Sequence, residues 1–376
     1  MDVSNLSRCL SCCARKWSCD GAYPACARCQ QEAAECFYDW SLDKGIFELF
    51  PPWANLNGRI TLERGAQQVA NGGFARVYRT RMNSGDLVAV KVFFDHRRPP
   101  ARALELSVRE AFTWHRLDYP NIVPFLGIAD YAKVCPGGFP QLCLVSPWMS
   151  DGNVMEYLRA NPSISPFPLL LDIANAVDYL HSFPSGPIIH GDLKGNNILI
   201  GFDPSCHPNG RPCARLIDFG LAQIIEIGMQ DDIGTTSTAY NGNARWLAFE
   251  RIFPQKYGLR QSESKSTMSD IFELMRTFLE ILTGGPPFQG MPDYAYLAEV
   301  LRGSNPERPV RCHWIDDDLW RLMSDCWSGV KEARPSLDAV REDLQESISL
   351  EVRVLNCFSI TVNDSIELAI GTIRGF

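Results

Sequence analysis

The spacing of apolar and polar positions changes along the chain. Between Val69 and Phe93, short apolar runs alternate with small or polar residues. Val69-Ala70-Asn71-Gly72-Gly73-Phe74-Ala75-Arg76-Val77-Tyr78 predicts strand, tight turn, strand, and Leu87-Val88-Ala89-Val90-Lys91-Val92-Phe93 a further strand. Leu142-Cys143-Leu144-Val145 predicts another. Later the period lengthens: Leu170, Ile173, Ala174, Val177 and Leu180 recur at helical spacing. Asp270 to Leu282 predicts a second helix, ended by Thr283-Gly284-Gly285-Pro286-Pro287. Strands come first and helices dominate later, the order expected of an α+β domain. The chain shows no internal repeat.

The first part of the chain is different. Residues 1–36 are rich in cysteine and short in aliphatics, so they cannot form an apolar core alone. Phe37, Tyr38, Trp40, Phe47, Phe50 and Trp53 then crowd around Pro51-Pro52, too aromatic for a free linker; this stretch is expected to pack on a neighbouring surface. The division expected is 1–40, 41–60 as an aromatic linker, 61–346 as the main domain, and a tail over 347–376.

Composition narrows the function classes. Of 376 residues, 45% are hydrophobic and 21% charged, enough for a substantial core. A net charge of -8 does not suit a chain that binds nucleic acid over its whole surface, so any such contact must be local. No apolar run reaches the ~20 residues of a membrane helix, and the start lacks the signal-peptide pattern. Cytoplasm or nucleus is the expected location, with no membrane partner. Nothing in the sequence sets an oligomeric state. Of 14 cysteines, seven lie between Cys9 and Cys36, and in a reducing compartment such a cluster reads as metal-binding before disulfides. The scattered cysteines read as small buried hydrophobes.

Candidate chemistry sits in the main domain. Ile189-His190-Gly191-Asp192-Leu193-Lys194-Gly195-Asn196-Asn197 is followed by Ile217-Asp218-Phe219-Gly220. The pair resembles the catalytic loop and the metal-binding triplet of protein kinases, which implies a two-lobed fold with a β-rich N-lobe and a helical C-lobe. Phosphoryl transfer needs a carboxylate by the substrate hydroxyl, oxygen ligands for magnesium and cations against phosphate charge. The resemblance assigns these to Asp192, to Asn197 and Asp218, and to Lys91 and Lys194. It pairs Lys91, in Val88-Ala89-Val90-Lys91, with Glu110. It places ATP against Val69, Gly72, Gly73, Val77, Ala89 and Leu199, with Ser146 as gatekeeper and Pro147-Trp148-Met149 as hinge. Glu250 and Arg334 are expected to pair, and Asp270 to cap the catalytic loop. Lys194 is the serine/threonine-type residue, while the segments at Leu142–Met149 and Arg245–Ala248 look tyrosine-kinase-like. A serine/threonine kinase of the tyrosine-kinase-like group, acting on protein substrates, is what the resemblance implies.

Some positions depart from the family. Ala70 and Ala75 stand where it has glycine, and Phe249, Asn243 and Met275 where it has proline, threonine and a small residue. Gly191 stands where many members carry the arginine that pairs with an activation-loop phosphate. Its absence implies activity independent of loop phosphorylation, with no cation expected beside Asp192 for a loop phosphate to satisfy. Thr235 to Thr238 and Tyr240 read equally as phosphorylation sites or as a solvated polar loop.

The cysteine cluster has its own pattern: Cys9-x2-Cys12-x6-Cys19-x6-Cys26-x2-Cys29-x6-Cys36. It resembles the fungal binuclear zinc cluster, in which six thiolates hold two zinc ions. By that resemblance Cys9 and Cys26 bridge the ions, and Arg15 and Lys16 lie on a helix that meets DNA. The basic set is thin, so zinc is expected while DNA binding stays open. Cys206, His207 and Cys213 lie in an insertion over 201–214 and are too few ligands to be read as a metal site. Two readings of the whole remain: an ATP-, magnesium- and zinc-using kinase with a targeting module, or a zinc-cluster transcription regulator whose kinase fold is a scaffold.

Overall fold

The computed structural model describes residues 27–32, 45–62, 68–71, 75–93, 100–202, 206–207, 209–224 and 243–351. Gly72, Gly73, most of the cysteine cluster, Thr235 to Tyr240 and the end of the tail lie outside them. In the cysteine-rich segment a short helix α1, Ala27–Gln31, carries the buried Cys29.

Five antiparallel strands form the first lobe: β1 (Gln68–Asn71), β2 (Ala75–Arg81), β3 (Leu87–Phe93), β4 (Gly127–Asp130) and β5 (Leu142–Pro147), in the order β1-β2-β3-β5-β4. Alternation along β3 sets its two faces. Val88, Val90 and Val92 are fully buried in a core with Leu56, Ile60, Leu62, Ala129, Cys143 and Val145. Ala89 and Lys91 project to the opposite face. Helix α2 (Pro100–Trp114) packs against β3 and β5. β4 escaped the sequence reading because four residues carry too little pattern.

Phe50 and Trp53 of the aromatic stretch lie on this lobe, while Phe37, Tyr38 and Trp40 fall outside the described residues. Phe50 meets Phe112 and His115 edge-on, with ring centroids 6.3 and 5.3 Å away, and Trp53 meets Phe125 at 6.5 Å. The Leu56 N–H donates to Ile128 O at 2.9 Å. The backbones pass so closely that a Cβ at Gly127 would fall 2.3 Å from Ala54 O, so the position requires glycine.

Helix α3 (Tyr131–Val134) joins β4 to β5 in the first lobe, and the second lobe is helical: α4 (Val154–Ala160), α5 (Phe167–His181), α6 (Phe249–Ile252), α7 (Thr267–Thr283), α8 (Asp293–Arg302) and α9 (Asp317–Cys326). Two small sheets pair β6 (Ile188–Ile189) with β9 (Gln223–Ile224), and β7 (Ile198–Gly201) with β8 (Cys213–Leu216). Helix α7 begins earlier than its apolar spacing predicts, because Ser266 caps it by accepting from Ser269 N. It is buried on every side from Ser269 to Leu282, acids included. A last helix covers 337–351, past the expected boundary at 346, with Ile348 packed on the core.

Not every scattered cysteine is a buried hydrophobe. Cys143 and Cys326 are, Cys135 and Cys312 are partly exposed, and Cys206 and Cys213 form a disulfide.

Candidate functional site

Three elements bring the first cluster together. Lys91 on β3 donates to Glu110 of α2 at 2.8 and 3.1 Å, and to Asp218 Oδ1 at 3.0 Å. Val77 lies opposite Lys91 in the β2–β3 register, which fixes where the lysine stands. Burial alone would lower the Lys91 pKa, but Asp218 and Glu110 outweigh it and raise it above the usual lysine value. Burial would likewise raise Asp218, but the Lys91 charge and hydrogen bond hold it down to about 2. Asp218 adopts φ 72, a left-handed conformation unusual for a side-chain-bearing residue and a site of local strain. Phe219 next to it is fully buried, with its ring near Trp114 and His190.

The segment from His190 to Asn197 forms the second part. Asp192 Oδ2 accepts from Lys194 at 2.8 Å and from Asn197 Nδ2 at 2.9 Å. Asn197 also donates to Asp192 O at 2.8 Å, so its amide locks the turn. The Ile217 N–H donates to Asn197 O at 3.0 Å and brings Asn197 beside the residue preceding Asp218. Asp218 and Asn197 thus offer neighbouring hard oxygen donors, one of them a carboxylate ionised at any working pH. That donor set fits magnesium.

Helix α7 holds this segment from below. Asp270 accepts from His190 N at 2.8 Å and Gly191 N at 2.9 Å, the expected cap, and faces His181 at 3.0 Å. Two acids missed in the sequence act alongside it. Glu280 accepts from Gly195 N at 2.7 Å and Trp246 Nε1 at 2.9 Å. Glu273 takes Arg251 at 2.6 and 2.8 Å. Positions 270, 273 and 280 share one helix face, and that recurrence was the available signal. Glu250 and Arg334, both buried, pair through two parallel bonds of 2.7 and 2.8 Å.

The expectation at Gly191 needs correction. Gly191 sits at φ 70, and the Arg251 guanidinium lies 3.4 to 3.6 Å from where its Cβ would be. Arg251 donates to Gly191 O at 2.8 Å. A cation therefore does stand beside the segment, supplied by α6 and already matched by Glu273.

Of the residues expected around the nucleotide, Ala89 and Ser146 are paired across β3 and β5, and Leu199 bridges to Asn153 just after Met149. Val69, Val77, Ala89, Met149 and Leu199 are half-buried, while Ser146 is buried. Among the zinc-cluster cysteines only Cys29 is described.

Comparison with known proteins accords with this geometry. The family model described as protein tyrosine and serine/threonine kinase matches residues 64–344. The fungal Zn(2)-Cys(6) binuclear cluster domain matches residues 8–45. A putative serine/threonine-protein kinase/receptor of Acanthamoeba polyphaga mimivirus is 29% identical over 73% of the chain. Serine/threonine-protein kinases VIK and STY46 of Arabidopsis thaliana are each 27% identical, over 75% and 74% of the chain. The chain spans only 15%, 60% and 43% of these relatives' own lengths.

Proposed function

Because the chain belongs to the protein tyrosine and serine/threonine kinase family, we propose that it transfers the γ-phosphoryl group of ATP to serine or threonine of protein substrates. The observation that carries this reading is the joined set of Lys91, Glu110 and Asp218 beside a pre-set Asp192–Lys194–Asn197 turn. Lys91, held by Glu110, binds the α- and β-phosphates. Gly72 and Gly73 cover them, while Val69, Val77, Ala89, Ser146, Met149 and Leu199 hold the adenine. Asp192 accepts the substrate hydroxyl proton, and Lys194 neutralises charge on the phosphoryl group as it moves. Asn197 and Asp218 hold magnesium, which supplies positive charge against the phosphates when bound.

The purified chain should label a generic protein substrate from γ-labelled ATP with magnesium. Asp218→Ala should reduce transfer to background. Wild-type activity no greater than that of Asp218→Ala would rule out the enzyme and leave the scaffold reading.

The six cysteines of the matched N-terminal module are read as holding two zinc ions and targeting the enzyme. DNA is the second reading of that module, favoured by the family match over 8–45 and opposed by the net charge of -8. No described helix is long and apolar enough to cross a membrane.

A further inference from the structure

The hairpin that leads into Asp218 carries a feature the transfer chemistry does not use. Its strands β7 and β8 flank the insertion; Cys206 and His207 lie in the loop between them and Cys213 opens β8. The sequence offers only these three ligands, but the fold adds a fourth. Asp172, on helix α5 and almost fully buried, lies under the hairpin, and His207 Nε2 stands 3.1 Å from each of its oxygens. The two sulfurs, an imidazole nitrogen and a carboxylate oxygen all lie within 4.8 Å of one another.

We propose that, once the disulfide is reduced, Cys206, Cys213, His207 and Asp172 form a zinc(II) site that clips the hairpin to α5. Two thiolates, an imidazole and a carboxylate are a tetrahedral zinc donor set. Zinc–nitrogen and zinc–oxygen bonds of ~2.0–2.1 Å put those ligands ~3.3 Å apart in a tetrahedron, close to the His207–Asp172 separation already present. The Cα atoms of Cys206 and Cys213 are 6.4 Å apart. That leaves room for the sulfurs to part to the ~3.8 Å set by zinc–sulfur bonds of ~2.3 Å.

The surroundings suit a metal ion. One divalent zinc with two thiolates and one carboxylate carries a charge of minus one. Arg211 supplies the compensating positive charge, donating to Asp172 at 3.0 and 3.2 Å. Ala214 N also holds Asp172, at 3.1 Å. Asn121 Nδ2 points at both sulfurs, 3.5 Å from Cys206 and 3.3 Å from Cys213. Such outer donors stabilise thiolates and orient ligands.

Two molecules of a cellular thiol give two electrons and two protons to the disulfide, leaving two cysteine thiols and one oxidised thiol pair. Zinc then displaces both thiol protons. The clip lies upstream of the magnesium-binding segment: Leu216 of β8 accepts from Val123 N at 3.0 Å and donates to Asn121 O at 2.9 Å, two residues before Asp218.

The test uses the full chain, so that any N-terminal zinc cancels in a difference. Protein reduced with excess dithiothreitol, loaded with zinc sulfate and desalted is assayed for metal. Wild type should hold one zinc more per chain than Cys206→Ser/Cys213→Ser. Equal counts, or a disulfide that survives reduction by mass, would overturn the site. Should the double variant not fold, His207→Ala keeps both thiols and decides the matter by cobalt(II) titration. It should lose at least tenfold in affinity at one thiolate-bound cobalt; a titration identical to wild type overturns the proposal.

Discussion

Two ionic clusters flank the segment that carries Asp192, and they are built in opposite ways. The first sets one cation, Lys91, between two carboxylates, Glu110 and Asp218, drawn from both lobes. The second lies wholly in the helical lobe and sets two cations, Arg251 and Lys265, around Glu273. Its cations are spent on backbone: Arg251 holds Gly191 O, and Lys265 holds Leu221 O at 2.7 Å. The first cluster carries one carboxylate more than it has cations, a surplus that would suit a divalent cation. The second has none to offer a ligand, and its work is to fix the loop ends. Titration separates them too. Asp218 is held down to about 2, far from working pH, whereas burial brings Lys265 down to about 7.

The sharpest way to break this contrast is Arg251→Ala. It leaves Glu273 buried without its cation, which typically costs about 3–5 kcal/mol. Denaturant unfolding should show that loss, and Arg251→Ala combined with Glu273→Gln should recover part of it. A loss below about 1 kcal/mol would mean that water reaches Glu273 and the cluster is not a scaffold. Because Glu273 already matches Arg251, phosphatase treatment of wild type should leave transfer activity nearly unchanged.

Glu110→Gln attacks the other cluster with a smaller energetic effect. The amide keeps shape but cannot anchor the Lys91 charge, and a misplaced phosphate-binding cation costs about 10²-fold in rate. Activity should fall by that order while the unfolding midpoint moves little. Equal falls in both would make the first cluster a scaffold like the second.

What could be read in advance follows from where each constraint comes from. Lys91, Glu110, Asp192, Asn197 and Asp218 could be singled out because their motifs resemble those of protein kinases, and the structure joins Lys91 to Glu110 and Asp218 and Asp192 to Asn197. Glu273 and Glu280 were not singled out, since acids on a helix ordinarily face water; only the contacts of α7 show them buried. Arg251 was missed for a related reason: the place left by Gly191 is filled from α6, remote in sequence. Asp172 lies 35 residues before His207, so local spacing could not join it to the two cysteines. The strand–helix order of the lobes was plain, while β4 and the docking of the aromatic stretch depend on tertiary pairing.

Lys265→Met gives the smallest effect, visible only against pH. Burial, with Arg251 adding to it, holds the folded pKa near 7, below the ~10.4 of a free lysine. Between those values the unfolded chain binds a proton that the folded chain does not. Stability from this group therefore rises with pH from about 7 towards about 10, and is flat below 7, where the folded and unfolded chains both carry the proton. Glu273 acts in the opposite sense over a different window. Burial raises it to about 7 from its ordinary 4.5, so its contribution falls as pH rises between those values and is flat above. Unfolding measured at pH 7.5 and 9.5 thus isolates Lys265. Wild type should gain stability over that interval relative to Lys265→Met, whose side chain cannot titrate. Parallel pH profiles for the two proteins would mean that Lys265 stays charged in the fold, and that the second cluster is as insensitive to pH as the first.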